Sequence, residues 1–147
     1  MSLSYLHLPA LVQIVLDGGK KLCHEHGKTG GHFCLANEVG EPVLILLVEH
    51  GSHNLARAAR TLEFCQEKIA RLLMHRNHLA SSQSRDPEAK QYGGAIRVLG
   101  GYMSFSGLPE EFDEVLCMAV ALAVGAVNTQ DVIDLQEATG NMHSLRL

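Results

Sequence analysis

Residues 104–114 read SFSGLPEEFDE and bring two serines, a glycine, a proline and four acidic side chains to the point where an apolar run changes period. Carboxylates set this close could divide acid and base work, if a pocket held one of them protonated. Asp113, or a histidine elsewhere, is then the candidate general base of an enzyme acting on a small metabolite. The same residues also suit a helix start. Glu110 and Glu111 follow Pro109 in what reads as a first turn, where carboxylates meet the positive end of the helix dipole. Glu111, at the third helical position, could reach back to the helix-start N–H. Ser106 lacks the Gly-x-Ser-x-Gly frame of a nucleophile elbow, so a role at the turn suits it better.

Three other groups of residues could carry chemistry. Gly93-Gly94 and Gly100-Gly101 form no Gly-x-Gly-x-x-Gly and precede no phosphate-loop lysine. Gly93-Gly94 reads as a loop-to-strand turn, or as a place where backbone comes close to a ligand. Nine histidines are many for this length, with His24, His26 and His32 beside Cys23 and Cys34, and His50 and His53 around Gly51-Ser52. Their spacing matches no metal frame and is that of surface histidines on turns, so no metal site is expected. Arg57, Arg60 and Arg71 make a basic stripe that reads as a solvated helix face or as a clamp for an anion. Lys68 lies towards the core side of that helix, where a buried ammonium requires a specific partner.

The elements that must position these residues follow from length and pattern. With 147 residues the chain is expected to form one domain, burying about two thirds of its unfolded surface. Apolar residues make up 46% and charged ones 19%, which excludes a disordered chain. A net charge of −4 argues against nucleic acid as a partner. No apolar run approaches the roughly 18 residues of a membrane span. Four cysteines at irregular spacing, with no Cys-x-x-Cys, suit buried thiols in a reducing cytoplasm.

Apolar spacing predicts a helix over residues 8–26, opened by Pro9, weakened at Gly18-Gly19 and ended by Gly27. Residues 32–39 and 42–49 read as a hairpin turning at Gly40-Glu41, with VLILLV apolar enough for a central strand covered on both faces. The longest helical pattern spans residues 53–75, with Leu55, Ala58, Leu62, Cys65, Ile69 and Leu72 on its core face. Residues 81–91, polar and containing Pro87, read as a loop or a short mobile helix, and residues 95–106 as a second hairpin around Gly100-Gly101. A buried helix follows Pro109, and residues 128–139 form a last helix ended by Gly140. The order α-β-β-α-β-β-α is that of an α+β protein with one antiparallel sheet and flanking helices.

The succession of GGA, IRV, GG, a strand, SGLPEEFDE and an apolar helix resembles the C-terminal half of the GlcG/HbpS-like proteins, nearest the branch called haem-degrading domain proteins. Phe64 four residues before Lys68, and His78 near the place of a histidine-serine stretch, fit the same pattern. The resemblance covers residues 8–125 and leaves 126–147 as an extension. It departs at Ala95-Ile96, where the family has a proline after the glycine pair, and in a shorter hairpin. The resemblance implies a profilin- or PAS-like fold and homo-oligomers. Among such proteins some bind haem and many have no assigned reaction, so the family label is a weak guide to chemistry.

The expectation is a small-molecule-binding protein, taking haem or another anionic ligand. Lys68 and the arginines would meet its anionic groups, Gly93 and Gly94 would permit close approach, and His78 is the axial candidate. Ser106 and Asp113 would shape the turn behind the site. An enzyme using Asp113 or a histidine, and a structural assembly protein, remain the alternatives.

Overall fold

A computed structural model describes residues 2–49 and 54–147. The expected histidines His50 and His53, the Gly51-Ser52 pair and the start of the second helix at 53 lie outside the described residues. The elements are α1 (Leu8–Glu25), β1 (Gly30–Asn37), β2 (Pro42–Glu49), α2 (Leu55–Met74), β3 (Ala95–Val98), β4 (Gly101–Ser106), α3 (Glu110–Ala123) and α4 (Thr129–Thr139). Two short 3₁₀ turns, Ser81–Ser84 and Pro87–Ala89, interrupt the polar loop. The four strands form one antiparallel sheet in the order β2-β1-β4-β3. The two hairpins are therefore joined side by side through β1 and β4.

Period-two alternation divides the sheet into unlike faces. Phe33, Leu35, Ile96, Met103 and Phe105 point to the side covered by α1 and α3 and join the larger core with Leu11, Val15, Leu22, Val115 and Leu116. The opposite face carries small or polar residues: His32, Cys34 and Ala36 on β1, and Tyr102, Ser104 and Ser106 on β4. α2 lies on this face, over β1, β4 and β3, and packs Cys65, Ile69 and Leu72 against it. All four cysteines are buried and free.

Several local features follow the sequence reading. Gly27 and Gly140 end their helices at positive φ, and Gly40 and Gly100 turn the two hairpins. Asn128 and Asp131 cap α4 reciprocally through side chain and backbone. Gly18 and Gly19 do not interrupt α1. They are buried where it meets the C-terminal tail and β2, and a Cβ at Gly18 would lie 2.8 Å from Leu147.

Four expectations are corrected. β2 is an edge strand: α1 covers Leu44, Leu46 and Val48, while Val43, Ile45 and Leu47 on the other face stay 41–47% exposed. A uniformly apolar run does not reveal whether a second layer exists to cover it. Leu55 is 89% exposed, because it sits in the first turn beyond the sheet's reach. Arg71 is buried rather than solvated. Its guanidinium bonds Glu67, the Ser81 carbonyl at 2.5 Å, Ser84 Oγ at 2.8 Å and the Tyr92 carbonyl at 2.5 Å. Finally, α3 begins one residue later than expected, with Pro109 as N-cap and Glu111 at the second helical position.

Arg71 thus fastens both ends of the segment 81–92 to α2, with hydrogen bonds to a charged group worth about 1.5–3 kcal/mol each. Arg71→Met is expected to speed tryptic cleavage after the exposed Arg85 and Lys90 by about tenfold or more through local opening, leaving helix content unchanged by circular dichroism. Unchanged cleavage kinetics would show that the loop is held by something else.

Candidate functional site

The centre of the site is an ion pair inside the protein. Lys68 leaves the inner face of α2 and reaches Asp113 of α3 at 3.0 Å, both side chains being at most 3% exposed. Lys68 Nζ also donates to the Phe105 carbonyl of β4 at 2.8 Å. The other oxygen of Asp113 accepts the Leu108 N–H at 2.9 Å, closing the Ser-Gly-Leu-Pro turn. One carboxylate therefore joins α2, the end of β4, the turn and α3. Burial pushes Asp113 up to about 7, against the opposing pull of the Lys68 ammonium and the Leu108 amide.

Gly94 is what lets the pair exist. Its φ is +130°, and a Cβ there would lie 2.6 Å from Lys68 Nζ and 2.8 Å from both Asp113 Cβ and the Phe105 carbonyl oxygen. The close approach suggested by the sequence is thus made by the protein's own ion pair. Gly93 gives its N–H to Glu110 at 3.1 Å, and a Cβ on it would press on Ser82.

Outside the pair opens a cleft of about 300 Å³. Arg57, Arg60, Thr61 and Phe64 of α2 form one wall; Ser106, Gly107 and Leu108 of the turn form another; Lys28 and Tyr92 stand at the rim. Phe64 and Tyr92 meet edge to face with centroids 5.7 Å apart. Arg57 is committed to structure, donating to the carbonyls of Gly30 and Gly107 at 2.9 and 3.0 Å and so tying β1 to the turn. The side chains of Lys28 and Arg60 are exposed and make no hydrogen bond or ion pair with any described residue. Behind the wall, Thr61 Oγ donates to the Ala58 carbonyl and lies 2.8 Å from His32 Nδ1, which makes the imidazole the donor in that bond.

A second cavity of about 550 Å³ lies across Glu110, among Glu111, Glu114, Asn141 and His143. Glu110 belongs to both cavities and is held at 2.5 Å by Arg85. Glu114 is buried, bonded by Ser82 and Asn141, and burial pushes its carboxyl upward.

Of the residues singled out from the sequence, Lys68, Gly94, Asp113 and Ser106 come together around the cleft floor, with Gly93 beside them. His78 does not join them. It follows the C-terminus of α2, stacked on His75 at 4.7 Å, with Arg97 donating to its carbonyl. His75 is itself about 10 Å along the helix axis from Lys68. No described histidine lines the cleft. The cationic lining fits the carboxylates of a haem, but no described residue of the cleft offers an imidazole for its iron. Tyr92, Lys28 and Thr61 were not singled out from the sequence. Tyr92 directly precedes Gly93-Gly94, and that adjacency was the available signal.

No family model and no curated protein matches the sequence. Solved structures with a similar fold include the haem complex of PduOC, at 10% identity and a TM-score of 0.53, covering 81% of this chain and 93% of that one. The Ybr137w protein is similar at 17% identity and a TM-score of 0.52, covering 76% of each chain. Protein ORFY of Klebsiella pneumoniae is 16% identical over 81% of this chain and 90% of its own, with a TM-score of 0.47. The two closer likenesses and the sequence resemblance agree on the fold.

Replacing Lys68 by Met leaves the Asp113 carboxyl buried without its cation and is expected to cost about 3–5 kcal/mol. The double variant Lys68→Met/Asp113→Asn should recover much of that loss in chemical denaturation. The pH dependence has a definite sign. The folded pKa of about 7 lies above the unfolded 3.8, so the folded state holds the extra proton between them. This group's contribution is full below about pH 4 and is lost as pH rises through 7. Wild-type stability measured relative to Asp113→Asn should fall as pH rises over that interval; a relative rise would contradict the assignment.

Proposed function

We propose that this chain binds a small anionic ligand in the cleft between α2 and the Ser-Gly-Leu-Pro turn. The observation that carries the reading is the pair of cations, Lys28 and Arg60, whose side chains no described residue engages, at the rim of a cleft whose inner cations are already paired or hydrogen-bonded. Phosphate or carboxylate oxygens supply what those two side chains lack. Phe64 and Tyr92 offer an apolar edge to the body of the same ligand. At about 300 Å³ the cleft matches the small end of ligand pockets.

Binding is favoured over catalysis by the state of Asp113. Both of its oxygens are taken, one by Lys68 and one by the Leu108 amide, so a substrate would have to displace a structural bond to use it as a base. No helix among the described residues is long and apolar enough to cross a membrane.

Haem is the specific candidate that the fold likeness to the PduOC haem complex supports. Here it would rest on Arg60 and Lys28 through its carboxylates, when bound supplying its own iron chemistry. Titration with haemin, followed by visible absorption, tests this beside titration with citrate followed by amide chemical shifts. A saturable haemin response weakened about tenfold by Arg60→Ala supports haem at the cleft. Saturable citrate shifts at Thr61, Tyr92 and Gly107, with non-saturating haemin, support a smaller anion. Neither response saturating would remove the anion-binding reading altogether.

A further inference from the structure

Ser106 reaches the floor of the cleft with its hydroxyl unspent. It is the last residue of β4 and faces α2, where it is 6% exposed and lines the cleft. Its Oγ makes no hydrogen bond with any described residue. His32, directly opposite on β1, turns its Nδ1 to Thr61 at 2.8 Å. Close packing beneath α2 does not account for the hydroxyl, since Ala36 meets that need on β1 with a methyl group alone. Ser104, earlier on the same face of β4, is sealed beneath α2 and does not line the cleft.

A second unspent donor stands beside it. An ammonium carries three N–H bonds. Lys68 gives one to the Phe105 carbonyl and one to Asp113, and the third has no acceptor among the described residues. Lys68 lines the same cleft, and Phe105, which it holds, directly precedes Ser106. The floor thus presents donors whose charge is already balanced. Asp113 lies 3.0 Å from Lys68, and Glu110 is a further carboxylate of the lining. A second full negative charge on the ligand would meet those carboxylates. An uncharged carbonyl oxygen meets no such repulsion and accepts from both donors. A ligand that displaces water from the floor has to offer an acceptor in its place or forfeit those bonds.

We propose that Ser106 and Lys68 form a subsite for an uncharged carbonyl oxygen, so that the ligand of the cleft is a small oxo acid, its carboxylate outward on Lys28 and Arg60 and its carbonyl inward on the floor. This assignment rests on the anion-binding reading above and gives that anion a chemical class. The lining of α2 runs in the matching order. Arg60, Phe64 and Lys68 follow one another at steps of four residues, about 6 Å each along the helix axis. They pass from exposed through half-buried to buried. A rim cation, an aromatic edge and a floor donor therefore succeed one another going inward, which suits an acid group, a short apolar spacer and a carbonyl.

Three short acids test this. Levulinate carries a carbonyl away from its carboxylate, pentanoate lacks only that oxygen, and glutarate has a second carboxylate at the far end. Each is titrated into the full chain at about pH 8, where Asp113 is mainly ionised, and followed by the methyl shifts of Thr61 and Leu108 in the cleft lining. Homologues of all three, longer by two methylenes, are titrated beside them to cover a longer spacing between rim and floor. At one of the two lengths the oxo acid should bind about fivefold to tenfold more tightly than the plain acid and the dicarboxylate. Ser106→Ala removes a hydroxyl that the fold does not use, and should cut the ratio of oxo acid to plain acid by about threefold or more. Arg60→Ala should weaken every acid while keeping that ratio. Saturable binding in which the oxo acid is no tighter than the plain acid overturns the floor subsite and leaves the anion reading standing. A ratio that Ser106→Ala leaves intact, or a dicarboxylate that binds more tightly, has the same consequence. No saturable shifts with any of the acids overturns the subsite too, and the citrate and haemin titrations then decide the anion reading by themselves.

Discussion

The bond between Lys68 and Asp113 is the constraint on which the arrangement around the cleft depends. Removing two charges from water costs several kcal/mol per ion, and mutual attraction repays it only with good geometry and further hydrogen bonds. Both ions have those bonds, to the Phe105 carbonyl and the Leu108 amide. Their partners belong to four different parts of the fold, so the pair specifies how α2 and α3 sit on opposite sides of one sheet. Gly94 is a consequence of it: no side chain fits between Lys68, Asp113 and β4.

The two faces of the sheet divide labour. On the α1 and α3 side, Phe33, Leu35, Met103 and Phe105 build the larger core, where burial of large apolar groups supplies most of the stabilisation. On the α2 side the sheet offers Cys34, Ala36 and serines, and the contacts are thiol or amine to carbonyl: Cys65 to Ser104 at 3.3 Å, Lys68 to Phe105 at 2.8 Å. Short side chains let α2 come close, and its polar flank then opens on solvent as the cleft. Burial pushes the Cys65 and Cys117 thiols well up, so in this setting they act as packing groups and not as nucleophiles.

Much of this was legible in the sequence because it rests on local rules. The hairpins follow from glycine turns between apolar runs, the end of α4 from Gly140, and the strand-to-helix junction from SGLPEEFDE. Lys68 declared itself through the contradiction between its charge and its place on an apolar face. What stayed hidden depends on pairings distant in sequence. Arg71 looked like one more surface arginine until the carbonyls of Ser81 and Tyr92 were seen to converge on it. His78 sits at the far end of α2 because the chain turns there towards β3, a path that spacing alone does not give. β2 looked central since hydrophobicity reports a tendency to be covered, not the presence of a cover.

The distribution of positive charge explains how a protein with net charge −4 can still favour an anion. Four cations line or border the cleft, yet Lys68 is neutralised by Asp113 and Arg57 is spent on two carbonyls. Glu110, the remaining carboxylate of the lining, is held by Arg85 and the Gly93 amide on the side away from the floor. The inner charges thus fix the shape of the cleft while adding little net field. The outer pair, Lys28 and Arg60, keeps its full charge but lies in high dielectric, where each contact contributes modestly and salt screens it. Recognition at such a site comes from the geometry of two separated cations and an aromatic edge on a rigid floor. Affinity should therefore depend more on the spacing of a ligand's anionic groups than on its total charge.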